Sequence, residues 1–322
     1  MKPFATISLD LDNQWSYMKT HGDSGWESFP SYLDIFIPMI VDILDNLNLK
    51  ITFFIVGKDA ALDKNRDALK LITERGHEIG NHSFNHDVWL HTYPRDKLET
   101  EILKAEEKIY LTTGQRTIGF RGPGFVWSPE LLEILFKNQY IYDATLLPTY
   151  IGPLARMYYF WNSNLSSEQK VQRGKIYSGI KEGLRPVKPF YWELPSGDHL
   201  LEIPVTTIPV FKTPFHLSYL IYLSQFSETL MLYYFRMAMI LCRITQTAPS
   251  FLLHPLDIIS GEQIPELKFF PGMNLSSTRK LELFKTVIKM LEKWFKLINM
   301  GTYAEFVFKE NDIKICSPKI YD

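Results

Sequence analysis

Two aspartates, Asp10 and Asp12, lie in the first apolar stretch of the chain, "ISLDLDNQW" at residues 7–15. Apolar and polar residues alternate there, as in a β-strand whose successive side chains point to opposite faces. The two carboxylates therefore share one face. Two like charges held a few ångströms apart disfavour each other's ionisation unless a positive group offsets them. The stretch thus predicts a positive group beside the pair.

Two histidines, His82 and His86 of "NHSFNH", could hold a metal ion. Imidazoles four residues apart can bind one ion from a helical turn or from a tight loop. With Asp12 they form a set of two histidines and one carboxylate, which leaves coordination positions open for water and substrate, as around catalytic ions. Asp12 can then bind the ion, while Asp10 accepts a proton from water bound to it. The alternative is that one aspartate only caps a following helix.

The elements that must position these residues alternate along the chain. Eight candidate strands alternate with helices and end at "TYAEFVF", residues 302–308, which predicts a parallel sheet closed, or nearly closed, into a (β/α) barrel. We expect one long helical region over about 214–245 and a last helix over about 277–298. Polar residues at the carboxyl ends of the strands should meet at one rim of the barrel. They are Asp10, Asp12, His82, His86, Arg121, Asp143, Glu202 and His254.

Composition narrows the class of protein. The 322 residues carry a net charge of −1 with a pI near 6.7, and no Lys/Arg run exceeds two residues, so neither a nucleic-acid footprint nor a polybasic membrane tether is visible. The two cysteines, Cys242 and Cys316, give no disulfide framework and no cysteine zinc site.

The chain enters its first strand within about five residues, which leaves no room for a leader. No apolar run reaches the roughly 18 residues of a membrane span. We expect a single barrel domain over residues 1–322, with insertions at about 149–190 and 211–248, in a cytoplasmic protein that could contact the inner face of the membrane.

Four motifs occur in the order "SLDLD", "GHEIGNHSFNH", "FRGPGF" and "FLLHP". In these motifs the chain resembles carbohydrate esterase family 4, the NodB-homology polysaccharide deacetylases. The resemblance implies a distorted (β/α)7–8 barrel that holds one divalent ion, Zn²⁺ or else Co²⁺, Ni²⁺ or Mn²⁺, through Asp12, His82 and His86. It further implies that Asp10 is the general base, that Arg121 orients Asp10, and that His254 is the general acid.

One departure from the family pattern concerns the first motif. The family commonly has adjacent aspartates, whereas Leu11 separates them here. This form is similar to branches such as the deformylases that act on lipid-linked aminosugars. The acidic residue that tunes His254 in the family has three candidates in this chain: Asp143, Glu202 and Asp257.

The reaction implied by the resemblance is hydrolysis of an N-acyl group, in the simplest case N-acetyl, on a sugar or glycan that is free or lipid-linked. Water bound to the ion would attack the amide carbonyl with Asp10 as base and His254 as acid. The residues expected to line the substrate site are Trp15, Trp89, Gly122, Pro123, Gly124, Phe125 and Leu252. Alternatives are an amide hydrolase for a formamide or ureide, and a barrel that binds glycan or lipid without turnover.

The apolar stretch from residue 218 to 244 has two interpretations. It contains more apolar residues than a barrel helix with one wet face requires. Packing in the core or between subunits would explain this composition. A surface that meets a membrane or a lipid-linked sugar would also explain it.

Overall fold

The computed structural model describes residues 2–152, 154, 157, 163–166, 170 and 180–318. The predicted insertion at about 149–190 therefore lies partly outside the described residues. Within the described part, strands and helices alternate over most of the chain, as the sequence predicts. No helix in this part is long and apolar enough to cross a membrane.

The described strands form one sheet. They are β1 (Phe4–Leu11), β2 (Thr52–Ile55), β3 (Glu78–Asn81), β4 (Gly119–Phe120), β5 (Tyr142–Asp143), β6 (Phe190–Glu193), β7 (His199–Glu202), β8 (Ser250–Leu253), β9 (Lys296–Ile298) and β10 (Ile315–Cys316). The strand order is β10-β6-β7-β5-β4-β3-β2-β1-β8, and β9 pairs with β1. All neighbouring pairs are parallel except the β6–β7 hairpin.

The described helices surround this sheet. They are α1 (Gln14–His21), α2 (Leu33–Asn46), α3 (Gly57–Ala60), α4 (Arg66–Glu74), α5 (Arg95–Thr113), α6 (Pro129–Lys137), α7 (Leu217–Ser224), α8 (Glu228–Ile244), α9 (Ser277–Trp294) and α10 (Met300–Val307). The largest apolar cluster lies between the sheet and helices such as α2, α4, α8 and α9, and it includes Ile40, Leu69, Phe235 and Phe284, which are all fully buried.

The segment after β7 closes the sheet. The Thr206 backbone N–H donates to the Ser250 carbonyl at 3.1 Å, and the Ser250 N–H donates to Thr206 Oγ1 at 2.7 Å. This contact joins β7 to β8, so seven parallel strands (β1, β2, β3, β4, β5, β7 and β8) enclose the barrel. The predicted distorted (β/α)7–8 barrel is confirmed.

Three predicted elements are corrected. The helical region over about 214–245 is two helices, α7 and α8, because Ser227 accepts a hydrogen bond from the Leu230 N–H and starts a new helix. The helix expected to reach about residue 298 ends at Trp294, and β9 follows it. The expected final strand at residues 302–308 is instead helical, because Asn299 caps α10 through the Thr302 N–H at 2.8 Å.

Candidate metal and catalytic site

The candidate site residues lie where the parallel strands end. Asp10 is in β1 and Asp12 follows that strand, His82 follows β3, Arg121 follows β4, and His254 follows β8. Parallel strands place their carboxyl ends at one rim of a barrel. The fold therefore places these residues at one rim of the barrel, as the sequence predicts.

Asp12, His82 and His86 form a compact set. Their ligand atoms lie within 4.8 Å of one another. Asp12 Oδ1 is 2.7 Å from His86 Nε2 and 3.4 Å from His82 Nε2. All three side chains are buried, with exposed fractions between 2 and 9 %. Strands β1 and β3 both pair with β2, so this set ties two strands together across a third.

A tight loop brings the two histidines together. The backbone φ is 62° at Ser83 and 51° at His86, which is the left-handed region that side-chain-bearing residues adopt at a cost. The loop is therefore not a helical turn. His82 and His86 have ring centroids 5.0 Å apart.

Electrostatics in this set favour a cation. Burial raises the pKa of Asp12, but the two imidazoles, His86 above all, outweigh it and hold that pKa well below its usual range. Burial lowers the pKa of His82, but Asp10 and Asp12 more than offset it and leave that pKa raised. The Asp12 carboxylate is therefore anionic and faces two imidazoles. A divalent ion bound between them would take the place of the protons on the imidazole nitrogens.

The histidine tautomer also fits a metal. His82 Nδ1 lies 2.6 Å from the carbonyl oxygen of Arg121 and donates to it, so Nε2 carries the lone pair that faces Asp12. Among the described atoms, buried Asp12 Oδ1 has no well-directed hydrogen-bond donor. Two nitrogen atoms and one carboxylate oxygen suit Zn²⁺ and similar first-row ions.

Asp10 is held by Arg121. Arg121 Nη1 donates to Asp10 Oδ1 and to Ser8 Oγ, both at 2.8 Å, while Nε donates to the Ala144 carbonyl at 2.8 Å. The guanidinium is fully buried and lies over the Phe54 ring, 4.4 Å from its centroid. Arg121 is therefore fixed in the barrel interior, and it orients Asp10 through one carboxylate oxygen.

His254 lies beside Asp10 along the rim. The pairing of Leu9 with Leu253 places the residues that follow them on neighbouring strands. His254 Nδ1 is 3.2 Å from Ser218 Oγ and 3.9 Å from Asp257 Oδ2. Its side chain is 19 % exposed, so it can be reached from solvent. Of the three acidic candidates for tuning His254, Asp257 is the one that faces it.

Asp143 and Glu202 form a different pair in the barrel wall. They are paired residues of β5 and β7, and both are fully buried. Burial raises the pKa of Asp143 to about 6, and burial together with the negative charge of Asp143 raises the pKa of Glu202 well above its usual range. The two neighbouring carboxyl groups therefore disfavour ionisation in the wall of the barrel.

Two residues around His254 were not found from the sequence. His216 is buried, its ring centroid is 6.0 Å from that of His254, and burial followed by the charges of His254 and Arg121 holds its pKa well below the usual range. Lys280 is fully buried and donates to the carbonyls of Leu256 and Ile259 at 2.7 and 2.6 Å. It thus holds the turn that carries Asp257. His216 directly precedes α7 and Lys280 lies in the first part of α9, and no motif marks either residue in the sequence.

The turn after β1 corrects one prediction. Trp15 is 1 % exposed and its indole N–H donates to Asp59 Oδ1 at 2.9 Å. Asn13 Nδ2 donates to the same oxygen at 2.7 Å, and Tyr32 Oη donates to the Asp12 carbonyl at 2.6 Å. A ring buried in this way has no free face for a sugar, so Trp15 supports the turn instead of lining a substrate cleft.

The glycines after Arg121 allow close backbone approach. A Cβ atom on Gly122 would lie 2.3 Å from the Val126 carbonyl oxygen, and Gly124 has φ +64°. The Gly122 N–H already donates to Thr145 Oγ1 at 2.8 Å. Pro123 is buried beside them.

The remaining predicted substrate residues differ in exposure. Trp89 is half-buried, with the Lys19 ammonium 5.7 Å from its ring centroid. Leu252 is fully buried in a small apolar cluster with Leu147 and Val205, against which the half-buried Phe125 packs. This cluster is an apolar wall of the barrel mouth beside His254.

Comparison with known proteins agrees with this fold. Residues 23–142 match the sequence model of the family described as polysaccharide deacetylase. This range includes His82, His86 and Arg121, whereas Asp10, Asp12 and His254 lie outside it. The resemblance to NodB-homology polysaccharide deacetylases is thereby confirmed over residues 23–142, which match that family's sequence model.

Named relatives match parts of the chain, and one solved structure shares its fold. A peptidoglycan deacetylase of Helicobacter pylori is 25 % identical over 173 residues, which are 53 % of this chain and 56 % of that protein. A peptidoglycan-N-acetylglucosamine deacetylase of Bacillus cereus is 36 % identical over 104 residues, 32 % of this chain and 34 % of that protein. The match thus spans less than two thirds of either relative. A crystal structure of a Mycobacterium smegmatis protein assigned to the polysaccharide deacetylases has a TM-score of 0.61 at 18 % identity and covers 99 % of this chain and 96 % of that one.

Proposed function

We propose that the protein is a metal-dependent hydrolase that removes an N-acyl group, in the first instance N-acetyl, from a sugar or glycan. The observation that carries the proposal is the convergence of Asp12, His82 and His86 beside the Asp10–Arg121 pair. The names of the Helicobacter pylori and Bacillus cereus relatives support the sugar amide as substrate.

Asp12, His82 and His86 are the residues that would hold the ion, and Zn²⁺ is our first choice. When bound, a divalent ion of this kind lowers the pKa of water and polarises the amide carbonyl. Asp10 acts as the general base. Because Arg121 holds its Oδ1, its Oδ2 is left to take the proton of the attacking water.

His254 supplies a proton at the end of the reaction. Its Nδ1 faces Ser218 and Asp257, so Nε2 is the nitrogen directed to the substrate. As the bond between carbonyl carbon and nitrogen breaks, His254 gives a proton to the departing amine. Water is thus divided between the two products, a carboxylic acid and an amine. Leu252 and Phe125 offer an apolar wall for the acyl group.

A substrate panel tests this function. Zinc-loaded protein is incubated with N-acetylated and N-formylated free sugars, nucleotide sugars, oligosaccharides and polyprenyl-linked sugars, and also with a formamide and a ureide that carry no sugar. Released acid and released amine are both measured. We expect equal amounts of acid and amine from at least one sugar amide and none after chelation. Release from a formamide or ureide alone would contradict the sugar substrate. No release from any amide would contradict catalysis.

A further inference from the structure

Helix α8 exposes a stripe of large apolar side chains. These residues recur at intervals of three and four, so they lie along one side of the helix. They are Leu230, Tyr233, Met237, Ile240 and Ile244, with exposed fractions from 36 to 72 %. The opposite side of the helix is buried in the core through Met231, Phe235, Ala238, Met239 and Cys242. The outer side of the helix is thus apolar and only partly covered by the described residues of this chain.

A hairpin tip extends the same surface. Val210 and Phe211 are 75 and 58 % exposed at the tip of a turn closed by the Ile208 N–H, which donates to the Thr213 carbonyl at 2.8 Å. Val210 has φ +75°, a costly backbone conformation for a β-branched residue. Val210 and Thr245 line one surface cavity, so the tip lies next to Ile244. We call the α8 stripe with Val210 and Phe211 the apolar face.

Positive charge surrounds the apolar face. Arg236 and Arg243 are exposed on α8, and that helix has no acidic residue after Glu228. Lys188, Lys212 and Lys314 line the cavity beside Val210, where Asp312 is the one acidic residue among the described lining residues. Burial and the neighbouring Lys314 lower the pKa of Lys212, as expected where cations crowd together. This pattern complements anionic lipid headgroups.

The size of the apolar face favours a membrane over a second copy of the chain. From Leu230 to Ile244 the stripe is about 21 Å long at 1.5 Å per residue, and a helix is about 10 Å wide, which gives roughly 200 Å². A stable dimer buries about 800 Å² on each partner. The face is therefore too small for a dimer by itself. An interfacial helix needs only an apolar side that sinks to the headgroup level with cations beside it.

The apolar surface begins one helical turn from the candidate catalytic site. Ser218 of α7 contacts His254, and Tyr222 follows it by four residues on the same helix. Tyr222 is 45 % exposed and packs on Phe226, which is 70 % exposed, with ring centroids 5.2 Å apart. Phe226 lies directly before α8, so exposed apolar side chains lead from the His254 side of the barrel mouth to the apolar face.

We propose that the apolar face docks on an anionic lipid bilayer and that the substrate is an N-acylated sugar carried by a membrane lipid. The second part rests on the proposed hydrolase function, whereas docking does not.

Flotation of the full chain with vesicles tests the docking. The vesicles contain phosphatidylcholine alone or phosphatidylcholine with an equal part of phosphatidylglycerol. We expect flotation with the anionic vesicles and a fall in the floated fraction of more than about tenfold for Tyr233→Glu/Ile244→Glu, because two apolar side chains leave the bilayer. The matched control is Tyr110→Glu/Leu111→Glu on α5, where the side chains are 54 and 63 % exposed; it should float like the unaltered protein.

Three results would overturn docking: no flotation of the unaltered protein, equal losses in the two double variants, or self-association that the α8 variant abolishes in the absence of flotation.

A measurement of hydrolysis separates the docking proposal from the proposal of a lipid-borne substrate. We expect Tyr233→Glu/Ile244→Glu to keep its rate on a soluble N-acetylated oligosaccharide but to lose at least about tenfold on a polyprenyl-linked sugar in vesicles. If the unaltered protein and Tyr233→Glu/Ile244→Glu hydrolyse the vesicle-borne sugar at equal rates, the proposal of a lipid-borne substrate is wrong. Flotation without hydrolysis of any sugar amide would contradict the proposed function and the lipid-borne substrate, and leave docking in place.

Discussion

Arg121 links the two halves of the candidate site. Its guanidinium orients the proposed base Asp10, and its carbonyl accepts the hydrogen bond that fixes the tautomer of the proposed ligand His82. One residue would therefore orient both the proposed base Asp10 and the proposed metal ligand His82. Asp10 and Asp12 are two residues apart, yet they have different partners, since Asp12 faces the two imidazoles. Different partners favour different roles for the two carboxylates.

The first prediction separates these roles. Asp10→Asn should keep about one divalent ion per chain and lose turnover by about 10²–10⁴-fold, because the amide can still accept from Arg121 but cannot take a proton. His82→Ala should lose both ion and turnover. Metal analysis and steady-state rates on both purified variants check this. Equal ion loss in the two variants would reverse the roles of Asp10 and Asp12.

The second prediction concerns the proposed acid. His254→Gln should keep the ion and lower kcat by about 10²–10⁴-fold on a sugar amide, since the amine must then leave without its proton. An activated anilide, whose amine is less basic, should lose much less. Ser218→Ala is the control, and it should have a smaller effect because it removes only the contact to Nδ1. Equal losses on the two substrates would argue against proton donation by His254.

At the residue scale the sequence supplied the polar groups but not their supports. Strand alternation, histidine spacing and four family motifs identified Asp10, Asp12, His82, His86, Arg121 and His254, which the fold brings to one rim. Ser218, His216 and Lys280 could not be found, because they reach His254 or its turn only through the packing of α7 and α9. Trp15 shows the opposite error. An indole after an acidic strand can face a cleft or the interior. The hydrogen bond from the Trp15 indole N–H to Asp59 holds this one in the interior.

At the element scale the barrel strands follow the hydrophobic pattern of the sequence. At residues 302–308, tertiary contacts override that pattern. Residues 302–308 alternate like a strand, yet they form most of α10, whose buried residues include Met300, Gly301 and Ala304. The Gly301 N–H donates to Glu78 Oε2 of β3 at 2.8 Å. Together with the Asn299 cap, this distant partner favours the helix. Local periodicity carries no information about Glu78, so the sequence predicts the wrong element there.

The third prediction tests the carboxyl pair that joins β5 and β7. Asp143 has a raised pKa of about 6, so the folded chain favours its protonated form. Its contribution to stability is complete below the unfolded pKa of about 3.9 and is lost as the pH rises through about 6. Asp143→Asn has no such loss, because an amide does not ionise. The variant should gain about 1 to 3 kcal/mol over the unaltered protein at pH 8 and little at pH 4.

Urea unfolding of both proteins at pH 4 and pH 8 measures this gain. Asp198→Asn, an exposed carboxylate at the β6–β7 turn, is the control, and its effect should not change between the two pH values. A loss of stability in Asp143→Asn that is larger at pH 8 would contradict the raised pKa of Asp143.

At the scale of the whole molecule, the metal site and the barrel closure act on the same strands. The alternation of strands and helices predicts a barrel, but not the hydrogen bonds between Thr206 and Ser250 that close it, because these residues are separated by both α7 and α8. The site lies on the other side of β1. Asp12 follows β1, while His82 and His86 follow β3, with β2 between the two strands. A bound ion would therefore hold β1 and β3 together, and only in the folded chain.

The last prediction follows from this linkage. Zn²⁺ at about 100 times its Kd should stabilise the fold by about 2.7 kcal/mol, since the unfolded chain does not hold the three ligands together. A gain of that size should raise Tm by about 4 °C in a chain of 322 residues, at about 2.1 cal/mol/K of unfolding entropy per residue. Asp10→Asn should show the full rise, because that residue is not a ligand, whereas His82→Ala should show none. Thermal scans of metal-free and zinc-loaded protein measure both, and chelator should reverse the rise. A rise of equal size in His82→Ala would mean that the ion binds somewhere other than beside Asp12, and the proposed site would then be wrong even if the protein is a metalloenzyme.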